Sequence, residues 1–207
     1  MATIVPAILE HHLRNVQHRI KQVKASRYHI DIMDGQFVRR KTIGCRALSK
    51  LRTNAVIDAH LMVRHPLLHV KHAAKWADRL IAHVEATSDI AGFIKACKKA
   101  KVKAGLAINP GTPIKRVLPF VKAVDFVLIM TVHPGRQGQK FLNHSLASVS
   151  LLHKKARKLK IGIDGGVNAA VVKAAKKAGA SVICAGSSIF WSGNPKKAYL
   201  ALARAAR

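Results

Sequence analysis

Hydrophobic positions along the chain fall into two patterns that take turns. Short, near-continuous apolar runs alternate with longer segments in which apolar residues recur every three or four positions. The first pattern predicts strands buried on both faces, the second amphipathic helices. Strands are expected over 4–9, 28–33, 55–63, 80–85, 103–108, 126–132, 160–164 and 181–185. Helices are expected over 10–23, 45–52, 66–76, 90–100, 114–121, 142–159, 169–178 and 195–206. In the first helix Leu13, Val16, Ile20 and Val23 form one apolar stripe, and Asn109-Pro110-Gly111 ends the fifth strand with a turn signal. Roughly eight repeats of strand then helix point to an α/β protein with a closed (β/α)8 TIM barrel, residues 1–207 forming one domain. An open doubly wound sheet is the alternative. It usually carries a glycine-rich turn after its first strand, and Pro6-Ala7-Ile8-Leu9-Glu10 contains no glycine.

Composition agrees with a folded globule: 49% of the 207 residues are hydrophobic and mean hydropathy is +0.09. No apolar run approaches membrane-spanning length and no signal-like segment opens the chain, so a cytoplasmic location and no membrane partner are expected. Cys45, Cys97 and Cys184 are odd in number, widely spaced and outside any C-x-x-C pattern, which argues for reduced thiols rather than a disulfide framework. Charge changes the picture more. Lys and Arg number 37 against nine acids, a net charge of +28. Most of the acids lie in or beside the expected strands, which leaves the outer surface almost uniformly positive. Such a field concentrates anionic substrates and binds nucleic acid non-specifically.

Three segments carry candidate chemistry. In a strand, side chains alternate between faces, so in His29-Ile30-Asp31-Ile32-Met33-Asp34-Gly35 a histidine and an aspartate share a face with Met33. The segment 56–63 repeats the device with Asp58, His60 and Met62, and Ile161-Gly162-Ile163-Asp164 ends an apolar run in a carboxylate. Taken singly, His29 or His60 reads as a hydrogen-bonded core residue. An ionised aspartate in an apolar strand, however, is costly unless paired or metal-bound. Two imidazoles and two carboxylates on strands therefore form a plausible set of ligands for a divalent cation. Glycine stretches Gly135-Arg136-Gln137-Gly138, Gly165-Gly166 and Gly186-Ser187 follow the last three strands. Glycine lets backbone N–H groups approach an anion, and barrels frequently hold phosphate at this place, so a phosphorylated substrate is expected.

The chain resembles the ribulose-phosphate 3-epimerase family across nearly its whole length. The resemblance rests on 29–35 followed by Phe37-Val38, on Asp58-Ala59-His60-Leu61-Met62-Val63, and on His83-Val84-Glu85-Ala86. It continues through 102–113, Met130-Thr131-Val132 with Pro134-Gly135, Gly138-Gln139-Lys140-Phe141, Asp164-Gly165-Gly166-Val167 and Ala185-Gly186-Ser187. It implies a ribulose-phosphate-binding barrel that interconverts D-ribulose 5-phosphate and D-xylulose 5-phosphate in the pentose phosphate pathway, with one divalent metal ion (zinc, iron(II), manganese or cobalt) as cofactor and a homo-oligomeric assembly. By resemblance the metal ligands are His29, Asp31, His60 and Asp164, with Asp31 and Asp164 doubling as the acid–base pair. Met33, Met62 and Met130 match a hydrophobic wall beside the reacting carbons; by spacing alone they read as core. Phosphate contacts are expected at Gly135, Arg136, Gly138, Gly165, Gly166, Gly186 and Ser187.

The chain departs from the family pattern at three places. Ala7 stands where a serine is usual, which removes a hydroxyl contact. Arg136-Gln137 replaces Phe-Gly in the phosphate loop; loss of the glycine stiffens the loop or obstructs backbone donation, or Arg136 supplies a new phosphate contact. Arg39-Arg40 stands where Pro-Asn is common. Two alternatives stay open: epimerisation of another ketose phosphate, such as allulose 6-phosphate, and an RNA-associated protein that keeps the barrel and uses its basic surface. Aromatics at 5% and the absence of an RNA-recognition motif give the latter little support.

Overall fold

The computed structural model describes every residue from Met1 to Arg207 and shows the expected closed parallel barrel. Its strands are β1 (Thr3–Ile8), β2 (Arg27–Met33), β3 (Val56–Met62), β4 (Arg79–His83), β5 (Lys103–Ile108), β6 (Phe126–Met130), β7 (Lys160–Asp164) and β8 (Val182–Ala185). Each pairs in parallel with the next, and β1 closes on β8 through Thr3 opposite Val182 and Ile4 opposite Ile183. The α-helices are α1 (Leu13–Val23), α2 (Pro66–Ala73), α3 (Ile90–Lys99), α4 (Ser145–Lys155), α5 (Ala169–Ala178), α6 (Ser187–Phe190) and α7 (Pro195–Ala205). Side chains on the outer strand face, such as Ile30, Ile57 and Leu80, are fully buried against the helices. Inner-face positions make a second, smaller apolar layer of Val5, Ala7, Ile81, Ala107, Phe126, Leu128, Met130, Val182 and Cys184. Strands sandwiched this way read as unbroken apolar runs, which is why the sequence locates them so well.

Several helix expectations need correction. The helix expected over 114–121 is two short 3-10 turns, Ile114–Arg116 and Leu118–Phe120. Pro119 is the cause: it has no N–H to donate and disfavours helical geometry at the residue before it. The expected helix 45–52 shrinks to one 3-10 turn, Ala47–Lys50. The long helix 142–159 begins only at Ser145, because the Leu142 N–H bonds back to the Thr131 carbonyl, and it ends at Lys155. The first helix starts at Leu13 rather than Glu10; the Glu10 carbonyl instead accepts the N–H of Ile43. Helix α6 was not expected. Three helices start on side-chain caps: Asp89 accepts from Gly92 N–H, Asn168 from Val171 N–H and Asn194 from Lys197 N–H.

Inside the barrel, depth along the strand matters as much as face. Gly162 of β7 has no side chain because Phe126 fills its place: a Cβ there would lie 2.3 Å from the Phe126 ring. Phe126 in turn supports the Arg79 guanidinium, 3.7 Å from the ring centroid. Asp58, which shares a strand face with His60, lies in this lower layer and is saturated by Arg27 at 2.7 Å and Arg79 at 2.5 Å. The upper layer, toward the C-terminal strand ends, holds the residues singled out for chemistry.

Candidate metal centre and active site

Strand alternation and register bring His29 and Asp31 of β2, His60 of β3 and Asp164 of β7 together. Asp31 stands level with His60 across the β2–β3 pair, and Asp164 closes the group from β7. One ligand atom from each of the four residues lies within 4.8 Å of all the others. His60 Nδ1 is 3.0 Å from Asp31 Oδ1 and 3.8 Å from Asp164 Oδ2; His29 Nε2 is 3.4 Å and 3.8 Å from the same two oxygens. Both strand ends are pinned from outside. Thr42 Oγ1 donates to the Asp31 carbonyl and accepts the Met33 N–H, while Thr131 donates its N–H and its hydroxyl to the Asp164 carbonyl.

The hydrogen-bond inventory tests whether a cation belongs here. Behind His60 lies His83, Nε2 to Nε2 at 2.9 Å, and Glu85 Oε2 faces His83 Nδ1 at 3.4 Å. Burial works against the Glu85 carboxylate, but His83, Thr112 and the Asn109 N–H outweigh it and hold its pKa down at about 2. The Nε2–Nε2 contact needs one ring to donate and the other to accept; a His83 proton on Nδ1, on the side of the Glu85 carboxylate, would make its Nε2 the acceptor. In that tautomer His60 donates from Nε2 and turns a bare Nδ1 toward Asp31, the arrangement a bound cation would select. Burial keeps this imidazole neutral, its pKa pushed down to about 3. A lone pair and a carboxylate oxygen 3.0 Å apart repel unless a cation lies between them. His29 agrees, since neither of its buried ring nitrogens has a hydrogen-bond partner. The donor set of two imidazoles and two carboxylates fits a divalent transition metal.

The two carboxylates are held in opposite states. Without a metal, burial raises the Asp31 pKa, but hydrogen bonds from the His29 and His60 rings prevail and bring it to about 2; the bare His60 Nδ1 belongs to the metal-bound arrangement. For Asp164, burial and then the charge of Asp31 push the pKa up to about 7. Without a metal, the two neighbouring acids thus differ in protonation, Asp31 ionised and Asp164 the one that holds a proton more readily.

Above the cluster is a small cavity of about 50 Å³. Its wall includes the buried Met33, Met62 and Met130, as the sequence led us to expect. Gly135, Arg136, Gly138, Gly165, Gly166, Gly186 and Ser187 line the same cavity, so the three glycine stretches converge on one place. The N–H groups of Gly138 and Gly166 donate to no backbone carbonyl. At Gly166, φ is +64° and a Cβ would lie 2.6 Å from the Phe141 nitrogen, so the tight approach requires glycine. Gln137 leans over Gly186, its Nε2 only 2.7 Å from where a Cβ would stand. Ala7 and Cys184 also line the cavity. Sequence reading assigned no role to His83, Glu85 or Cys184; at Gln137 it expected the loss of a glycine to stiffen the loop or obstruct backbone donation, and the side chain does crowd Gly186. Alternation on β4, which puts Arg79, Ile81 and His83 on one face, was the available signal for His83.

Comparison with known proteins places these residues in context. The model of a family described as the ribulose-phosphate 3 epimerase family matches residues 3–190. The rice protein named ribulose-phosphate 3-epimerase, cytoplasmic isoform, is 38% identical over 211 residues, covering 97% of this chain and 92% of its own. Ribulose-phosphate 3-epimerase of Bacillus subtilis is 35% identical over 209 residues, covering 96% of each. Among solved structures, 3-hexulose-6-phosphate synthase superposes with a TM-score of 0.77 at 21% identity, covering 99% of both chains. KGPDC from Streptococcus mutans gives 0.77 at 15% identity, covering 99% of this chain and 97% of its own. At those identities the structural likeness speaks for the barrel fold.

Proposed function

We propose, because the chain belongs to the ribulose-phosphate 3-epimerase family, that it interconverts D-ribulose 5-phosphate and D-xylulose 5-phosphate. The observation that carries the reading is the convergence of His29, Asp31, His60 and Asp164 within 4.8 Å beneath a cavity lined by three methionines and three glycine stretches. Epimerisation of allulose 6-phosphate and an RNA-associated role are not favoured by the relatives.

Inversion at C3 removes a proton from one face of the carbon and returns one to the other. One base cannot reach both faces, so two groups on different walls are needed. Asp31 rises from β2 and Asp164 from β7, with β1 and β8 between them. In one direction the ionised carboxylate takes the C3 proton while the protonated one delivers its own to the opposite face; in the other direction the roles exchange. Family resemblance assigns each aspartate to one epimer. His29, Asp31, His60 and Asp164 would hold a divalent ion, which would supply Lewis acidity toward the negative charge that develops on proton removal. Met33, Met62 and Met130 exclude water from the reacting carbons, and Gly138, Gly166, Gly186 and Ser187, with the Arg136 guanidinium at the rim, receive the phosphate.

Cytoplasmic location and homo-oligomerisation belong to the same reading. Three buried, unpaired cysteines suit a reducing compartment, and no helix is long and apolar enough to cross a membrane. Leu67 and Leu68 of α2 are exposed and offer apolar surface to a second copy. The test of the reaction is a coupled assay on D-ribulose 5-phosphate with metal-stripped protein, reconstituted in turn with zinc, iron(II), manganese and cobalt. Metal-restored turnover, faster on this sugar than on allulose 6-phosphate, is expected; no turnover with any metal would refute the reading.

A further inference from the structure

The N-terminal face of the barrel, opposite the His/Asp cluster, holds a second and much larger recess of about 630 Å³. Strands β2, β4, β5 and β7 begin there with Arg27, Arg79, Lys103 and Lys160. Lys122, before β6, Lys155 at the end of α4, and Arg157 and Lys158, between α4 and β7, also line it. Asp31 lies four positions along β2 from Arg27, about 13 Å at the usual rise per residue.

A generally basic surface does not account for this recess. Eight of its 13 lining residues are Lys or Arg, against 37 of 207 in the whole chain. Helix dipoles explain little of it, because of the eight only Lys155 sits in the last turn of an α-helix. Local acids do not neutralise it. Asp125, the one acid in the wall, accepts the Ala104 N–H at Oδ2, and Asp58 beneath is a single carboxylate shared by Arg27 and Arg79. Arg79 is only 4% exposed, stacks on Phe126, and its Nε–H has no acceptor. Asp58 offsets one of the two guanidinium charges, which leaves the buried Arg79 with a free Nε–H in a wall with a surplus of cations, where a further anion is favoured.

We propose that this recess binds a linear oligophosphate, either inorganic or as the phosphate chain of a nucleotide. Several phosphates in a row match cations arrayed around a recess better than one monoanion does, and guanidinium groups take phosphate oxygens in pairs. None of the 13 lining residues is aromatic, so there is no platform on which bases of a nucleic acid would stack.

The test is calorimetric titration of the metal-loaded protein with inorganic tripolyphosphate and with ATP, in excess magnesium and 150 mM salt. One site per chain is expected. Equal affinity for the two ligands identifies the phosphate chain itself as what is bound, and tighter ATP identifies a nucleotide. The triple variant Lys122→Glu, Arg157→Glu, Lys158→Glu changes exposed residues only and should lose at least tenfold in affinity while keeping epimerase turnover. The control Lys95→Glu, Lys98→Glu, Lys99→Glu on α3 removes the same charge elsewhere and should keep the affinity. Equal losses in both variants, binding without fixed stoichiometry, or displacement of tripolyphosphate by oligouridylate at equal phosphate concentration would each overturn the proposal.

Discussion

His60 and His83 meet through their Nε2 atoms at 2.9 Å, and Glu85 stands behind His83. His83 is the partner behind the candidate ligand His60, and outer partners of this kind typically change metal affinity 10–100-fold. His83→Ala should therefore weaken metal binding by about tenfold or more in a competitive chelator titration, and His83→Gln, which keeps an acceptor, should recover part of it. Unchanged affinity in His83→Ala would reduce the pair to packing.

The opposed carboxylates give the metal-free protein a characteristic pH response. Asp164 has its folded pKa raised from 3.8 to about 7, so between those values the folded state keeps a proton that the unfolded state has lost. Its contribution to stability therefore falls as pH rises through that window. Asp31 and Glu85, both lowered to about 2, act in the opposite sense and lose their contribution as pH falls below about 4. Metal-free Asp164→Asn should melt higher than metal-free wild type at pH 8, with a smaller difference at pH 5. Thermal melts at the two pH values check this; a difference that does not grow with pH would contradict it.

Gln137 and Arg136 should act in opposite directions on substrate binding. The cavity of about 50 Å³ holds only ~3–4 water-sized spheres, so the Gln137 side chain must withdraw for a pentose phosphate to enter. Freeing the cradle of a side chain that must be reordered is worth about 1 kcal/mol, so Gln137→Gly should lower KM roughly fivefold. Arg136→Ala removes a guanidinium from the cavity rim and should raise KM about tenfold. Steady-state kinetics on D-ribulose 5-phosphate decides both, and a KM shift of the same sign in the two variants would contradict the assignment.

Gly162→Ala tests the barrel interior. The added methyl would meet the Phe126 ring at 2.3 Å, with Leu128 also within 3.2 Å. Overpacking of this kind costs about 1–3 kcal/mol, measurable as a shift in the urea midpoint. An unchanged midpoint would mean that Phe126 and the stacked Arg79 have room to move.

Much of this was legible in the sequence, and for identifiable reasons. Strands buried on both faces cannot hide, which is why 103–108 and 160–164 match β5 and β7 residue for residue. The clustering of His29, Asp31, His60 and Asp164 was legible because an aspartate inside an apolar strand, as at Asp31 and Asp164, needs a partner. Depth along the barrel axis was not. Period-two alternation puts Asp58 on the face of His60 yet says nothing of the separate layer where Arg27 and Arg79 neutralise it. His83 was hidden for a related reason: its role depends on a ring-to-ring contact across two strands. Helix ends were the weakest part, because Pro119 and the Leu142-to-Thr131 bond override the apolar stripe locally.

The central claim is that Asp31 and Asp164 are the two proton-transfer groups. It is tested most directly by turnover of Asp31→Asn and Asp164→Asn on D-ribulose 5-phosphate, with metal content measured in each preparation. Both variants should lose at least about 100-fold in kcat even when metal-loaded, as expected for removal of a general acid–base group. Near-native turnover in either one would contradict the account.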